Sequence, residues 1–535
     1  MSLVTKVSWR HFALIVLLAS VARGTVLLLT HDLLSADPDA YRRIAHCIAI
    51  HGTFGLESES VTGLKTANPT AFRPPLYPWL ISRLADPTGN IPNFPIAIAH
   101  WLLGTATAAG TYLLATRMLR GEADENTDKP RRNVTFASFL AAGLVAIDPL
   151  LLQASSLVMT ETLAAGLVVL VLWLWSKLIE DFEFQFEQPR GNLGLSGYKK
   201  VSVLMGVAFG LAYLCRPTFI LWPVIIAGYL LGLSLMQRCH KPFVSSFIIL
   251  AVVAAFVAAW TMRNMAQFGQ PIWATTHGGY TLLLGNNESF YDYLRNSNKS
   301  ARFPFANAWE ADFFIDRWDR RFDQDPREAS FWDASKTIEP GRPPSGSTSE
   351  LADDKLAYET AMATIKRRPD SFLTACFWRI RRLHSPFPLQ SSGRPLVGIF
   401  AVAGFYTVTM TLVLIGIWRL GRTIFAPRWA ASIALWVAIA SVHTVYWTDM
   451  RMRAPAVPIL SILAAVTVMS RPQGIAKNLR VAKNCVSPKT CVSPRTSAPS
   501  KTASSGRQRQ PNPVKLSAGW RPGVCSCYRL LNQSD

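Results

Sequence analysis

The chain has 535 residues, half of them hydrophobic, a mean hydropathy of +0.20 and only 17% charged residues, against roughly 25% in an average soluble domain. Its apolar residues come in runs of about 20, long enough to cross a ~30 Å hydrocarbon core, which excludes a soluble globular protein. The net charge of +21 and the pI near 9.9 come from loops between these runs and from the C-terminal tail, so membrane topology accounts for them better than nucleic acid does.

The first apolar run, 11–30, is too long for a signal peptide and is followed by His31, Asp32 and Asp37 rather than a small-x-small cleavage site. It reads as a retained first helix. Further spans are predicted at 94–116, 134–152, 156–176, 201–215, 217–236, 243–261, 396–418, 429–447 and 455–470, about ten in all. The apolar stretch 75–84 is too short to span and is placed at the interface or as a re-entrant segment. With the N-terminus inside, every short inner loop is basic: Arg117, Arg120, Lys129, Arg131 and Arg132, then Lys177, Arg190, Lys199 and Lys200, then Arg238 and Lys241, then Arg419, Arg422 and Arg428. The short outer turn near 148–160 carries Asp148 and no Lys or Arg. The positive-inside rule therefore gives cytoplasmic N- and C-termini.

Two stretches are then exported, a first loop at 31–93 and a large loop at 262–395. In the large loop, 350–382 shows helical periodicity broken at Pro369, and the part from Phe372 to Arg379 reads as an amphipathic helix returning the chain to the bilayer. From Arg471 the chain is rich in Ser, Pro, Thr, Lys and Arg, with an echo between 485–490 and 491–496. It reads as a disordered tail, either drawn to anionic headgroups or simply solvated. The eight cysteines include no Cys-x-x-Cys pair, and Cys525 with Cys527 form only a Cys-x-Cys. They match no zinc spacing and read as unpaired. The expected architecture is an all-α polytopic membrane protein. It has an N-terminal module at 1–261, an exported α-rich loop at 262–395, C-terminal transmembrane helices at 396–470 and a basic cytoplasmic tail at 471–535.

The first exported loop begins Asp37-Pro38-Asp39-Ala40-Tyr41. A carboxylate near an apolar boundary can act as general base on a hydroxyl, and two carboxylates two residues apart have the oxygens to hold a divalent cation such as Mg or Mn. Equally, one of them can merely cap the helix starting near Tyr41. The loop continues through His51-Gly52-Thr53-Phe54-Gly55 to Arg73-Pro74-Pro75-Leu76-Tyr77-Pro78, where the prolines set a rigid entry and Arg73 is either a phosphate partner or an interfacial anchor. Glu161 starts a helix, where the dipole alone would favour it. Arg216 precedes Pro217 and either binds phosphate or snorkels. His277 lies beside Gly278 and Gly279, Asn286 and Asn287 follow Gly285, and Arg451 and Arg453 flank a turn with Asp449. The topology puts Asp37, Arg73, Glu161, Arg216, His277 and Arg451 on one side, which the charge rule did not require.

Together these motifs resemble the GT-C glycosyltransferases, and most of all their bacterial protein O-mannosyltransferase and lipid A aminoarabinose transferase-like branch. The resembling segments are the Asp-x-x-x-Tyr after the first helix, Gly-x-Phe-Gly, Arg73 to Pro78, Thr160-Glu161, Arg216-Pro217, the start of the large loop from Arg263, and Asp449 to Pro458. They run in order over about 10–470. The resemblance implies an inverting transfer of sugar from a polyprenyl-phosphate donor to a glycan, lipid or protein acceptor, in a bacterial plasma membrane, with no required cofactor and no nucleic-acid partner. It assigns the general base to Asp37, but Pro38 and then Asp39 follow it, so both remain candidates, with Glu161 as the third catalytic carboxylate. Arg73, Tyr77, Arg216, His277, Asn286 and Arg451 become candidate substrate-binding residues. The contrasting reading is a transporter or flippase for a lipid-linked or anionic substrate. Against it, no internal repeat is seen and the charges gather at one face. No Gly-x-x-x-x-Gly-Lys-Ser/Thr, His-Glu-x-x-His or Gly-x-Ser-x-Gly motif occurs.

Overall fold

The computed structural model describes residues 8–59, 65–120, 128–187, 197–300, 349–388 and 396–469. The chain is an all-α polytopic membrane protein. The tail predicted to be disordered, 471–535, lies outside the described residues. Eight helical segments among the described residues are long and apolar enough to cross a membrane: Trp9–Ser35, Glu161–Phe182, Gly197–Cys215, Pro217–Gln237, His240–Phe268, Leu396–Phe425, Pro427–Val445 and Met450–Val468.

The two remaining expected spans differ from a simple apolar rod. The run at 134–152 is broken, because α5 (Asp128–Ile147) and α6 (Pro149–Ser155) meet at a bend of 48°. Asp148 and Pro149 stand at the break, and Pro149 cannot donate the hydrogen bond that would continue the helix. The other, α4 (Asn93–Arg120), is a single 28-residue helix, about 42 Å long at 1.5 Å per residue. Thr105, Thr107, Thr111, Thr116 and His100 lower its hydropathy. Packing against α1 (Trp9–Thr30), α5 and α7 (Glu161–Glu187) shelters these groups from lipid.

The bundle core is built around three fully buried tryptophans, Trp175, Trp222 and Trp429. Two of them donate to backbone carbonyls of a neighbouring segment: Trp175 to Pro427 at 3.0 Å and Trp222 to Ala431 at 2.9 Å. Apolar contact with lipid is no worse than apolar contact with another helix, so close packing and such hydrogen bonds must hold the helices together. Gly206 and Gly210 of α8 (Gly197–Cys215) do this against α10 (His240–Phe268), since a methyl group there would run into Val252 and Phe256.

The first long loop holds α2 (Tyr41–His51), a two-stranded antiparallel sheet of β1 (Gly55–Glu59) and β2 (Lys65–Pro69), and α3 (Leu76–Ser82). The hairpin was not expected from the sequence. Glu57 of β1 ties it to α2 by accepting from His51 at 2.9 Å. The predicted interfacial segment is α3, which buries Tyr77 and Ile81 and exposes Trp79 and Leu80. The described part of the large loop holds α11 (Gly278–Gly285), α12 (Glu288–Ser300), α13 (Glu350–Arg367) and α14 (Pro369–Leu383). The helix break expected at Pro369 falls between α13 and α14. The four helices share a small core of Leu283, Phe290, Tyr291, Ala357, Ala361 and Ala375. α14 buries Ala375 and Arg379 and exposes Leu373, Phe377 and Ile380, the amphipathic pattern read from its sequence.

A candidate active site at one end of the bundle

The N-terminus of α2 separates the two aspartates. Ala40 precedes the helix with φ of 59°, a backbone that turns the chain sharply. Asp37 accepts from the backbone nitrogens of Arg42 at 3.0 Å and Arg43 at 2.9 Å. Both carboxylate oxygens thus satisfy free donors of the first turn, so Asp37 is a helix cap. Asp39 faces the other way. Its Oδ1 accepts from Arg73 Nη2 at 2.6 Å and its carbonyl accepts from Arg73 Nε at 2.9 Å. Arg73 lies over Phe72, with its guanidinium carbon 4.4 Å from the ring centroid, and Phe72 meets the ring of His277 edge-on at 4.7 Å.

Glu161 is the first residue of α7 and is only 4% exposed. Arg216 sits where Pro217 ends α8, with Nη1 3.7 Å from Glu161 Oε1. Glu161 Oε2 and Arg216 Nη1 have no hydrogen-bond partner among the described residues. A buried ion pair this loose, with a bare atom on each side, is an unmet demand for polar contacts. Arg451 lies in the turn before the last helix, with Nε 3.2 Å from Asp449 Oδ2. Its charge is also felt by Glu161, Asp39 and Tyr41. Tyr41 connects the halves: its phenol lies within electrostatic reach of Arg73, Asp39, Glu161 and Arg216, and burial pushes its pKa up. Burial likewise raises Asp449, which interacts with both Arg451 and Arg382. The result is a cluster in which the charges of Arg73, Arg216, Arg382 and Arg451 act on those of Asp39, Glu161 and Asp449.

Of the residues singled out in the sequence, Asp39, Arg73, Glu161, Arg216 and Arg451 come together, and His277 stands at the edge beside Arg73. Three do not join them as expected. Asp37 is occupied as the cap of α2. Tyr77 is buried behind Tyr41, with ring centroids 5.3 Å apart, and its hydroxyl is bound to His100 at 2.8 Å, so it offers nothing to a ligand. Asn286 is fully buried, donates to Leu282 and Val445 carbonyls and accepts from Tyr291 and Arg379. Its amide therefore locks the loop core and has no group left for a sugar hydroxyl. Tyr41, Asp449 and Arg382 were not chosen from the sequence, although Tyr41 and Asp449 lie inside motifs that were. Arg382 had only its place on the returning helix as a signal. Among the described residues, no group of three His, Cys, Asp or Glu side chains is placed to hold a metal ion.

No protein-family model matches this chain, and no curated protein does. Among solved structures, the chain is similar to the oligosaccharyltransferase of Archaeoglobus fulgidus in its apo form (14% identity, 91% of this chain and 53% of that one, TM-score 0.47). It is also similar to the same organism's AglB in complex with an inhibitory peptide and a dolichol-phosphate (14% identity, 91% and 53%, TM-score 0.46). A third is ArnT of Cupriavidus metallidurans bound to undecaprenyl phosphate (15% identity, 85% and 76%, TM-score 0.32). The chain spans about half the length of the archaeal proteins it matches.

Proposed function

We propose that the chain is a GT-C glycosyltransferase that moves a sugar from a polyprenyl-phosphate carrier to an acceptor hydroxyl on the extracytoplasmic side, with inversion. The observation that carries this reading is the meeting of Asp39, Glu161, Arg73, Arg216 and Arg451 at one end of the bundle, with Glu161 Oε2 and Arg216 Nη1 unpartnered. The ordered motifs that resemble the GT-C enzymes support it.

In this mechanism the carrier phosphate lies against Arg216 and Arg451, whose planar forks can each bond two phosphate oxygens. Arg73 occupies Asp39 Oδ1 and orients the carboxylate, and its second oxygen takes the proton of the acceptor hydroxyl. The acceptor oxygen bonds to the anomeric carbon as the bond from that carbon to the phosphate oxygen breaks, and the electron pair leaves with the polyprenyl phosphate. The guanidinium groups neutralise the charge that develops on the leaving group. Glu161 Oε2 accepts from a sugar or acceptor hydroxyl. The donor is already lipid-linked, so no nucleotide site is needed. The acceptor is a glycan, a lipid or a protein. The placement is a bacterial plasma membrane with both termini in the cytoplasm.

The test is a mass comparison of envelope glycans, glycolipids and glycoproteins between cells carrying the wild-type chain and cells carrying Asp39→Asn, with binding of undecaprenyl phosphate to each purified protein measured alongside. A sugar present with the wild type and missing with the variant, while carrier binding persists, is expected. Identical glycans in the two would refute the transferase reading.

A further inference from the structure

The bend between α5 and α6 holds a charge outside the site. Arg23, in the middle of α1, is 1% exposed. Buried charge in a transmembrane helix is costly and needs an account. Its stem lies over Gly104 of α4, where a methyl group would collide with the guanidinium. Its two terminal nitrogens donate to the carbonyls of Ala146 and Val145, both at 3.3 Å. Both acceptors are among those that the break strips of their helical donors. In a continuous helix Val145 would accept from residue 149, which is proline and has no N–H. Ala146 would accept from Leu150, whose N–H is instead turned to the Tyr406 hydroxyl at 3.1 Å. On the other side of the bend, Asp148 caps the start of α6, accepting from Leu151 at 3.0 Å and from the Tyr406 hydroxyl at 2.9 Å. The charge of Asp148 also acts on Arg23.

The bend directs α6 to the site. The carbonyl of Ser155, its last residue, is bound by His100 Nδ1 at 2.8 Å, and α7 begins six residues later at Glu161. The other ring nitrogen of His100 holds Tyr77, which packs on Tyr41. Straightening the 48° bend would carry the tip of the seven-residue α6 through about 8 Å at 1.5 Å per residue. From this geometry we infer that Arg23 is a positioning residue: by replacing the backbone donors lost at Pro149, it holds the bend that places Glu161 against Arg216. The expected effect on carrier binding rests on the proposed transferase site, whereas the hold of Arg23 on the bend does not.

The experiment compares wild type, Arg23→Leu and Arg23→Leu/Pro149→Ala, each spin-labelled at exposed positions Gln153 and Thr88 for distance measurement. Thermal stability and undecaprenyl phosphate binding are recorded for each. Arg23→Leu should lose several degrees of Tm. The double variant, which restores the N–H at 149, should recover most of that loss. Its label distance should nevertheless shift by several ångström and its carrier affinity fall at least tenfold. A double variant with the wild-type distance would overturn the inference, as would one that recovers no stability. A wild type that fails to bind the carrier would count against the transferase reading and leave the distance and stability arms to decide the role of Arg23.

Discussion

Asp37 and Asp39 stand two residues apart and do different work, because one points at the amides of the helix that follows and the other at a guanidinium from a distant part of the chain. Replacing Asp37 with Ala should therefore cost about 1 kcal/mol of stability, the usual value of an N-terminal cap, read by thermal unfolding in detergent, with carrier binding unchanged. Asp39→Asn should leave the fold intact and lower transfer by about 10²–10⁴-fold, the range of a lost general base. His277 adds a pH dependence. Burial and then the positive charge of Arg73 hold its pKa well below the ordinary value, so the folded protein keeps it neutral while the unfolded chain takes up a proton below about 6.5. The unfolded state binds more protons there, so stability is full above that pH and falls as the pH drops through it. His277→Phe, which keeps an aromatic ring beside Phe72 and Tyr280, should flatten the Tm profile between pH 7 and pH 5.

At the scale of elements, α13 is the clasp between the large loop and the rest. Its first residue, Glu350, accepts from the Thr70 hydroxyl at 2.6 Å, from the Ala71 nitrogen at 3.0 Å and from the Thr276 hydroxyl. One turn on, Asp354 accepts from the Gly279 nitrogen at 2.7 Å. Burial pushes the Asp354 carboxyl up to about 6, with Glu350 adding to the shift and the Gly279 bond opposing it. A raised carboxyl binds its proton more tightly in the folded state, so this group's contribution to stability declines as the pH rises from about 4 to about 6 and stays low above that. Asp354→Asn, which still accepts from Gly279, should remove that decline, and unfolding curves measured between pH 4 and pH 7 would show it. At the opposite ends of the helices, Arg117 pairs with Glu180, and Lys177 lies 3.6 Å from the centroid of the Trp173 ring.

For the whole molecule, the decisive property is that one end of the bundle collects the charges of the candidate site and the other collects the basic loops. If the basic end is cytoplasmic, a cysteine placed at exposed Thr88 in a cysteine-free background should react with a membrane-impermeant maleimide in intact cells. One at exposed Lys199 should react only after permeabilisation. The reverse pattern would put the site in the cytosol, away from any extracytoplasmic acceptor.

Much of this was legible from the residues alone. Transfer of apolar side chains into lipid is local and nearly additive, so hydropathy located eight of the ten expected spans, and the break at Pro369 and the exposed stripe of α14 followed from periodicity and proline geometry. The tertiary structure alone decided which partner each polar group takes. The occupation of Asp37 as a cap, the locking of Asn286 inside the loop core, the burial of Tyr77 behind Tyr41 and the filling of the α5–α6 break by Arg23 all depend on segments far apart in the chain. A hydrogen bond is claimed by whichever donor arrives within about 3 Å, and local sequence carries no record of which one does.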